Sequence, residues 1–170
     1  SKPDVEILFE GAQGFGLDID HGDYPFVTSS HCTTASALLN GVPPQAIRNV
    51  WGVAKIYETY VGAKDFQPED PIFGTIQTLG EEFGATTGRK RQCNWMDLKA
   101  LMKAVKINGV TDLVFNKMDV LEEVGEWKIY NGDHLMEFND QQHVKSWLTS
   151  YVNFSPGDIN VYFSGNKDRI

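Results

Sequence analysis

Four consecutive residues, Asn116, Lys117, Met118 and Asp119, follow the N-K-x-D order that can recognise a guanine base. An aspartate carboxylate can accept hydrogen bonds from both N1–H and the exocyclic amine of guanine, and adenine offers neither donor there. The wrong base would leave a carboxylate unsatisfied, so such a site discriminates strongly. The lysine stem can lie along the base while its ammonium stays solvated. The alternative interpretation is a polar turn after a strand, because four-letter motifs recur by chance.

The phosphate half of a nucleotide site is missing from this sequence. It contains no G-x-x-x-x-G-K-S/T loop, which is the segment that cradles phosphates in self-contained GTPases. Either the guanine interpretation is wrong, or the phosphates bind to residues outside this chain.

A second segment, 84–91, has the sequence GATTGRKR, which we call the basic loop. Its two hydroxyls, Thr86 and Thr87, and its flexible glycines suit wrapping around a small anion. Arg89 and Arg91 can each hold a carboxylate in a bidentate fork. The loop therefore suits a small dicarboxylate or a phosphate, and the alternative is a solvated basic loop.

A third segment, FEGAQG, precedes a long polar stretch that contains DIDHG and VTSS. Gln13 could donate a hydrogen bond to a purine oxygen, and Thr28 or Ser29 could bind a phosphate. His21 beside Asp20 is more often a hydrogen-bonded structural residue than an acid–base group. The histidines and cysteines lack zinc spacing, so no metal ligands are predicted in this chain.

Composition limits the classes of function. The 170 residues suit one domain, and a net charge of -8 argues against nucleic acid or anionic membrane as a partner. No apolar run approaches the roughly 18–20 residues of a membrane span. Cys32 and Cys93 make no disulfide framework, which favours a cytoplasmic location. The absence of an initiating Met leads us to expect that the chain starts inside a longer product.

The elements that must position these residues alternate between strands and helices. A strand over Val5–Phe9 is expected to end in a glycine-rich turn, where ligands commonly bind in α/β sheets. Pro43-Pro44 indicates a short helix through Val50, and Val53–Val61 then favours a strand, although helix and strand are hard to separate there. Phe15–Gly41 is a long loop whose length is typical of a functional segment.

The hydrophobic periodicity is clearer in the second half of the chain. Asn94 to Lys106 predicts a helix with Asn94 as its N-cap and Asn108-Gly109 at its end. A buried strand over Asp112–Phe115, a second amphipathic helix over Asn139–Val152 and a last strand over Ile159–Phe163 follow. The alternation predicts an α/β fold with a largely parallel sheet and flanking helices.

Together the three segments resemble adenylosuccinate synthetase. The matching stretches are ILFEGAQGFGLDIDHGDYPFVTSS, EFGATTGRKR and NKMD, in the family's order. The resemblance is strong over Ile7–Asp119 and weaker over Val120–Ile170. It implies that residues 1–170 are the C-terminal part of a single P-loop-related domain whose N-terminal phosphate-binding part is absent here.

The resemblance also implies a reaction. GTP phosphorylates the 6-oxygen of inosine monophosphate, and the amine of L-aspartate then displaces that phosphate. The family's Mg²⁺ ligands and its catalytic Asp and His lie on the N-terminal part, so the chain alone is expected to be inactive. A homodimer, and complementation by an N-terminal chain, are further expectations of the resemblance.

The resemblance assigns roles to named residues. Gln13 corresponds to the catalytic glutamine at the 6-phosphoryl group, and Ser164 to a serine in a turn that contacts guanine. The remaining assignments are the purine nucleotide site (Gln13, Thr28, Val61 and Arg89), the aspartate site (Thr86, Thr87, Arg89 and Arg91) and the GTP site (Asn116, Lys117, Asp119 and Ser164).

Three departures from the family pattern concern the acceptor nucleotide. Ser36-Ala37 stands where the family has Gly-Gly, Tyr60 stands for an arginine, and Asn94 stands for a glycine. Related short viral enzymes use deoxyguanylate and make a precursor of diaminopurine nucleotides, so that acceptor stays open. A non-catalytic guanine-nucleotide-binding module is the third hypothesis.

Overall fold

The structure, a computed structural model, describes residues 6–84, 88–154 and 158–165. The chain divides into two units, Ser1–Arg48 and Asn49–Ile170. The prediction of a single domain over 1–170 stays a prediction. Among the described residues, no helix combines the length and the apolar character needed to cross a membrane.

The first unit is mostly loop in its described part. It contains α1 (Ala35–Leu39) and two 3-10 turns, Phe15–Leu17 and Pro44–Ala46. Only this second turn forms within the predicted helix from Pro43 to Val50, because Ile47 already has the extended backbone angles φ -79° and ψ 113°. The predicted long loop over Phe15–Gly41 is confirmed between these elements, but it is wrong at Phe15–Leu17 and at α1, where the chain is helical.

The predicted strand Val5–Phe9 is wrong over residues 6–9, while Val5 lies outside the described residues. Residues 6–9 form neither helix nor strand, and Ile7 and Leu8 are exposed. A strand needs a partner that satisfies its backbone N–H and C=O groups. In the part of the chain that the structure describes, no strand pairs with this segment.

The second unit carries seven strands and four α-helices among its described residues. In chain order these are β1 (Trp51–Lys55), β2 (Tyr57–Tyr60), α2 (Ile72–Leu79), β3 (Gln92–Asp97), α3 (Leu98–Asn108), β4 (Asp112–Asn116), α4 (Met118–Val124), β5 (Trp127–Asn131), β6 (His134–Phe138), α5 (Gln141–Phe154) and β7 (Asn160–Phe163).

The strands form two sheets. One is parallel throughout, with the order β1-β4-β7. The other has the order β2-β3-β5-β6, with β3 and β5 parallel and its outer pairs antiparallel. The α/β class with a parallel sheet and flanking helices is therefore confirmed.

The predicted strand Val53–Val61 is two strands that belong to different sheets. The chain leaves the parallel sheet at Ile56, which is buried and donates its N–H to the carbonyl of Asn116 at 3.0 Å. Tyr57 then begins β2 and pairs with Trp95. Val61 lies beyond the end of β2 and is exposed.

The predicted helix Asn94–Lys106 begins four residues too early. Asn94 lies in β3, and Asp97 is the N-cap, since its carboxylate accepts the N–H groups of Lys99 and Ala100 at 2.8 and 3.2 Å. Pairing with β2 holds Trp95 in the sheet and overrides its helical spacing. The predicted end is confirmed, because Gly109 caps the helix with φ 61°.

The core of the second unit lies between the sheets and their helices. The predicted helix over Asn139–Val152 is confirmed as α5, with Val144, Leu148 and Val152 buried. Phe115 on β4 stacks on Phe163 of β7, with ring centroids 5.5 Å apart. This packing fixes the ends of β4 and β7, which carry the guanine motif and Ser164.

Candidate functional site

The guanine motif (116–119) lies at the carboxyl end of β4. Asn116 ends the strand, Lys117 takes a left-handed conformation with φ 62°, and α4 starts at Met118. A non-glycine residue in this region costs on the order of 1 kcal/mol. The buried Met118 and the strand β4 hold this turn in place, so Asp119 is exposed on the first turn of a helix that starts from a rigid strand.

One polar contact and one unpaired polar atom characterise this turn. The Lys117 ammonium donates to the carbonyl of Gly80 at 2.9 Å, which ties the turn to the end of α2. The Oδ1 atom of Asn116 is buried and has no hydrogen-bond partner among the described residues. A buried acceptor without a partner is costly, so the side chain of Asn116 is poised to receive a donor.

The structure brings Ser164 to the same place. The N–H of Ser164 donates to the carbonyl of Phe115 at 2.8 Å, and the N–H of Met118 donates to the carbonyl of Ser164 at 3.1 Å. A Cβ on Gly165 would lie 3.2 Å from the Cβ of Asp119. Because β7 pairs with β4, the turn at 164–165 lies directly against the guanine motif.

The basic loop connects α2 to β3 and returns close to its own start. The N–H of Gly84 donates to the carbonyl of Arg89 at 2.8 Å, and Phe83 and Lys90 form an isolated antiparallel bridge. Arg89 is exposed. Thr86 and Thr87 lie outside the described residues. The basic loop therefore has one isolated bridge near its base, and Gln92, the residue that follows it, already belongs to β3.

Arg91 is held by a buried carboxylate that sequence analysis missed. Nη1 of Arg91 lies 3.0 Å from Oε2 of Glu82. The same carboxylate accepts from Lys55 at 2.7 Å and from the Tyr57 hydroxyl at 2.7 Å. Glu82 stands two residues before the start of the basic loop, in the sequence EEFG, and an acidic residue near a basic cluster is the signal that could have indicated it.

Charge pairing sets the protonation states here. Burial by itself would raise the pKa of Glu82, but hydrogen bonds from Lys55 and Tyr57, with the charge of Lys55 and the bond from Arg91, hold that pKa below its ordinary value. Burial lowers the pKa of Lys55, and Glu82 opposes that change. Burial and the charge of Glu82 raise the pKa of the Cys93 thiol to about 12, which favours the neutral thiol over the nucleophilic thiolate.

The guanine motif and the basic loop each contact the short segment that follows α2. Lys117 contacts Gly80, and Arg91 contacts Glu82 two residues later. Val61 follows Tyr60, whose register partner is Gln92, so Val61 and Arg91 lie at the same end of the β2–β3 pair. The second unit thus links Lys117 and Arg91 to the segment that follows α2, whereas Val61 is placed only by its position at the end of the β2–β3 pair.

In the first unit, Gln13 and Thr28 belong to one hydroxyl-rich cluster. Gln13 has φ 59°, and its amide oxygen lies 3.3 Å from the hydroxyl of Ser30. The hydroxyl of Thr28 lies 3.4 Å from that of Ser30. The two predicted residues thus meet through Ser30, whose part in this cluster the sequence did not indicate.

Asp18 organises this unit and was also missed. Its carboxylate is fully buried and accepts the N–H groups of Asp20 at 2.9 Å, His21 at 3.0 Å and Cys32 at 2.6 Å. Burial raises its pKa, but these bonds hold that pKa below its usual value. Asp18, Asp20 and His31 lie close enough to suit a cation. The three N–H bonds already account for the buried carboxylate, so we assign no magnesium to this cluster.

Comparison with known proteins places these features in a family. The family model of adenylosuccinate synthetase matches residues 1–154. The adenylosuccinate synthetase of Oleidesulfovibrio alaskensis is 42% identical over 162 residues, which cover 91% of this chain and 38% of that protein. That of Bordetella pertussis is 50% identical over 119 residues, which cover 68% of this chain and 27% of that protein.

Solved structures agree. Fully ligated adenylosuccinate synthetase from Plasmodium falciparum matches with a TM-score of 0.68 and 32% identity, over 77% of this chain and 33% of that one. The succinoaminodeoxyadenylate synthetase of cyanophage S-2L, bound to dGMP and to dATP as an energy donor, matches with a TM-score of 0.54 and 19% identity, over 83% of this chain and 49% of that one. This second likeness concerns the fold alone.

Proposed function

Because this chain belongs to the adenylosuccinate synthetase family, we propose that it supplies the guanine-reading and aspartate-binding parts of a GTP-dependent ligase that joins L-aspartate to inosine monophosphate. The observation that carries the proposal is the contact of the guanine motif with Ser164 and Gly165, together with the contacts of Lys117 with Gly80 and of Arg91 with Glu82 just after α2. A polar turn after a strand would need none of these contacts.

Each residue has a definite role in this proposal. Asp119 accepts N1–H and the amine of guanine, while Asn116, Lys117 and Ser164 surround the base. Arg91 holds the dicarboxylate together with Thr86, Thr87 and Arg89, and Arg89 and Val61 contact the acceptor's ribose. In the first unit, Gln13 donates to the 6-oxygen and Thr28 binds the acceptor's phosphate.

Phosphorylation converts the 6-oxygen of inosine monophosphate from a poor leaving group into a good one. After GTP phosphorylates the 6-oxygen, the aspartate amine forms a bond to C6, the C6–O bond breaks, and phosphate leaves with that oxygen while the amine loses a proton. The role of Gln13 is to hold the 6-oxygen. Magnesium, when bound with GTP, would neutralise phosphate charge, and we place its ligands outside this chain.

The chain spans 38% of the length of its Oleidesulfovibrio relative. We therefore propose that turnover requires a further N-terminal part, as one polypeptide or as a complementing chain. By family resemblance, the complete protein is a cytoplasmic homodimer.

A chimaera tests the proposal. This chain would replace the matching segment of the full-length bacterial relative, and turnover would be measured with GTP and L-aspartate. We expect turnover with inosine monophosphate that depends on both co-substrates. The relative without this segment is the control. A folded chimaera that binds GTP and stays inactive would favour the non-catalytic module instead.

The acceptor is tested in the same assay. The cyanophage neighbour is bound to dGMP and uses dATP as its energy donor, whereas the intact guanine motif here favours GTP. Turnover with dGMP in place of inosine monophosphate would assign the chain to the viral branch. The departures at Tyr60 and Asn94 make this competition worth measuring.

A further inference from the structure

The buried carboxylate of Glu82 is the centre of a four-residue group with Lys55, Tyr57 and Arg91. Only 1% of Glu82 is exposed. Its two oxygens lie 2.7 and 2.8 Å from the Lys55 ammonium, 2.7 Å from the Tyr57 hydroxyl and 3.0 Å from Nη1 of Arg91. A buried carboxylate needs such partners, because an unpaired buried charge is strongly unfavourable.

One carboxylate here faces two cations. The side chains of Lys55 and Arg91 are 21% and 31% exposed, so water screens them only in part. Without the carboxylate, two like charges would remain beside each other, and Lys55 could relieve this by losing its proton. Arg91 cannot, and its guanidinium would have to move away.

The backbone of Arg91 is held separately from its side chain. Its N–H donates to the carbonyl of Glu82 at 3.0 Å, and its carbonyl accepts from the amide of Gln77 at 2.6 Å. The N–H of Glu82 also donates to the carbonyl of Gln77, at 2.9 Å. A change in the Glu82 carboxylate therefore releases the guanidinium while these backbone contacts remain.

We propose that Glu82 is a positioning residue for aspartate binding, which acts through Arg91. It fixes the guanidinium through Nη1 and so presents the other N–H groups of Arg91 in one orientation to the dicarboxylate. This rests on the proposed function, in which Arg91 holds L-aspartate. Lys55 and Tyr57 complete the support by holding Glu82 itself.

The first test uses the active chimaera. In Glu82→Gln we expect the KM for L-aspartate to rise about tenfold, the KM for GTP to stay within about twofold, and kcat to change little. Arg91→Leu should raise the same KM roughly thirty- to hundredfold, because a charge-assisted bond contributes about 2–3 kcal/mol. Tyr57→Phe keeps the charges of Glu82, Lys55 and Arg91, and it should raise the KM for L-aspartate less than Glu82→Gln does.

A double variant shows whether Glu82 acts through Arg91. Adding Glu82→Gln to Arg91→Leu should raise the KM for L-aspartate no further, since residues that act as a unit are not additive. Additive effects would overturn the proposal, as would equal losses for L-aspartate and GTP. Glu58→Gln is the matched control, because Glu58 accepts the N–H of Asp97 at 3.1 Å and an amide oxygen can do the same.

The second test uses the 170-residue chain alone and needs no turnover. In ¹⁵N spectra the arginine side-chain N–H signals of wild type should include one protected from solvent exchange, and Glu82→Gln should lose that protection while the backbone N–H of Arg91 keeps its own. Retained side-chain protection would overturn the proposal. An inactive wild-type chimaera would instead contradict the proposed function, so the two failures are distinguishable.

Discussion

Ser1–Arg48 and Asn49–Ile170 hold their conformations by different interactions. In the described part of the first unit, the buried side chains are Asp18, Thr33 and Ala37. The hydrophobic core lies in the second unit, where aromatic and aliphatic residues from both sheets pack together. The first unit depends on hydrogen bonds that converge on one carboxylate, whereas the second depends on apolar burial.

The difference separates two ways of building a ligand site. In the second unit, the guanine motif extends from a strand whose Phe115 is fully buried, so its geometry comes from the core. In the first unit, Gln13 and Thr28 lie on loops whose order depends on Asp18. We expect core substitutions to affect the whole second unit, and polar substitutions to affect the first unit locally.

The largest expected effect is a core truncation. Phe115→Ala should lower the free energy of unfolding by about 3–5 kcal/mol, since it removes a fully buried ring and leaves a cavity. Phe9→Ala in the first unit is the matched control, because Phe9 is 46% exposed, and its cost should stay below about 1 kcal/mol. Urea titration followed by circular dichroism measures both. Equal losses of unfolding free energy in the two variants would contradict the view that only the second unit depends on apolar burial.

A change in the guanine motif should alter nucleotide choice without altering stability. Asp119→Asn converts one acceptor to a donor, and xanthine carries an oxygen where guanine has its amine. In the active chimaera the variant should lose activity with GTP and gain activity with XTP. The GTP-to-XTP preference should change by on the order of 2–4 kcal/mol, because one hydrogen bond is mismatched in each wrong pair, XTP with wild type and GTP with the variant. Turnover with GTP, ATP and XTP measures this. A variant that keeps its GTP preference would show that the motif is only a turn.

Asp18→Asn should disturb the first unit at one identifiable bond. Oδ1 accepts from Asp20 and His21, while Oδ2 accepts from Cys32 at 2.6 Å. An amide oxygen can replace Oδ1, but the amide N–H₂ would face the N–H of Cys32, at a cost of about 1–2 kcal/mol. Amide exchange should therefore accelerate at Cys32 more than at Asp20 or His21, with β4 unchanged. Faster exchange in β4 would contradict the local effect that we expect of polar substitutions in the first unit.

The smallest expected effect is that of pH on the free energy of unfolding, which should change little near neutral pH and fall in acid. The folded pKa values of Glu82, Asp18 and Asp112 lie below their ordinary values of 4.5, 3.8 and 3.8. The unfolded chain therefore binds more protons as the pH falls below about 4.5, and the free energy of unfolding falls with it. One such proton accounts for at most about 1.4 kcal/mol per pH unit. Chemical denaturation from pH 6 to pH 3 measures the slope, and Glu82→Gln should flatten it; an unchanged slope would contradict the paired state of Glu82.

Much of this structure could be predicted from local patterns in the sequence. The buried strand before Asn116, the helix α5 and the glycine cap at Gly109 follow from hydrophobic periodicity and helix-ending signals over a few residues. The sequence Asn131-Gly132-Asp133 between two alternating runs also indicated the β5–β6 hairpin, with Gly132 at φ 66°, although we did not predict it.

Long-range contacts account for the failures. Residues 94–97 fit a helical stripe, and they form a strand because residues 94–95 pair with β2 and residues 96–97 pair with β5. Glu82 finds Lys55 and Tyr57 at separations of 27 and 25 residues, which no local pattern encodes. The residues of the guanine motif could be predicted because they are consecutive. The role of Ser164 in the guanine site was expected only by family resemblance, since Ser164 reaches the guanine motif only when β7 pairs with β4.

The parallel sheet has a kinetic consequence. Its strands are neighbours in space but distant in sequence: Val50 bonds Thr111 across 61 residues, and Asp112 bonds Asn160 across 48. Closing such long loops costs entropy before any contact compensates for it, so parallel pairing is slow. The β5–β6 hairpin and α3 can form quickly and locally. We therefore expect the guanine motif to reach Ser164 late in folding, after most of the protein has collapsed.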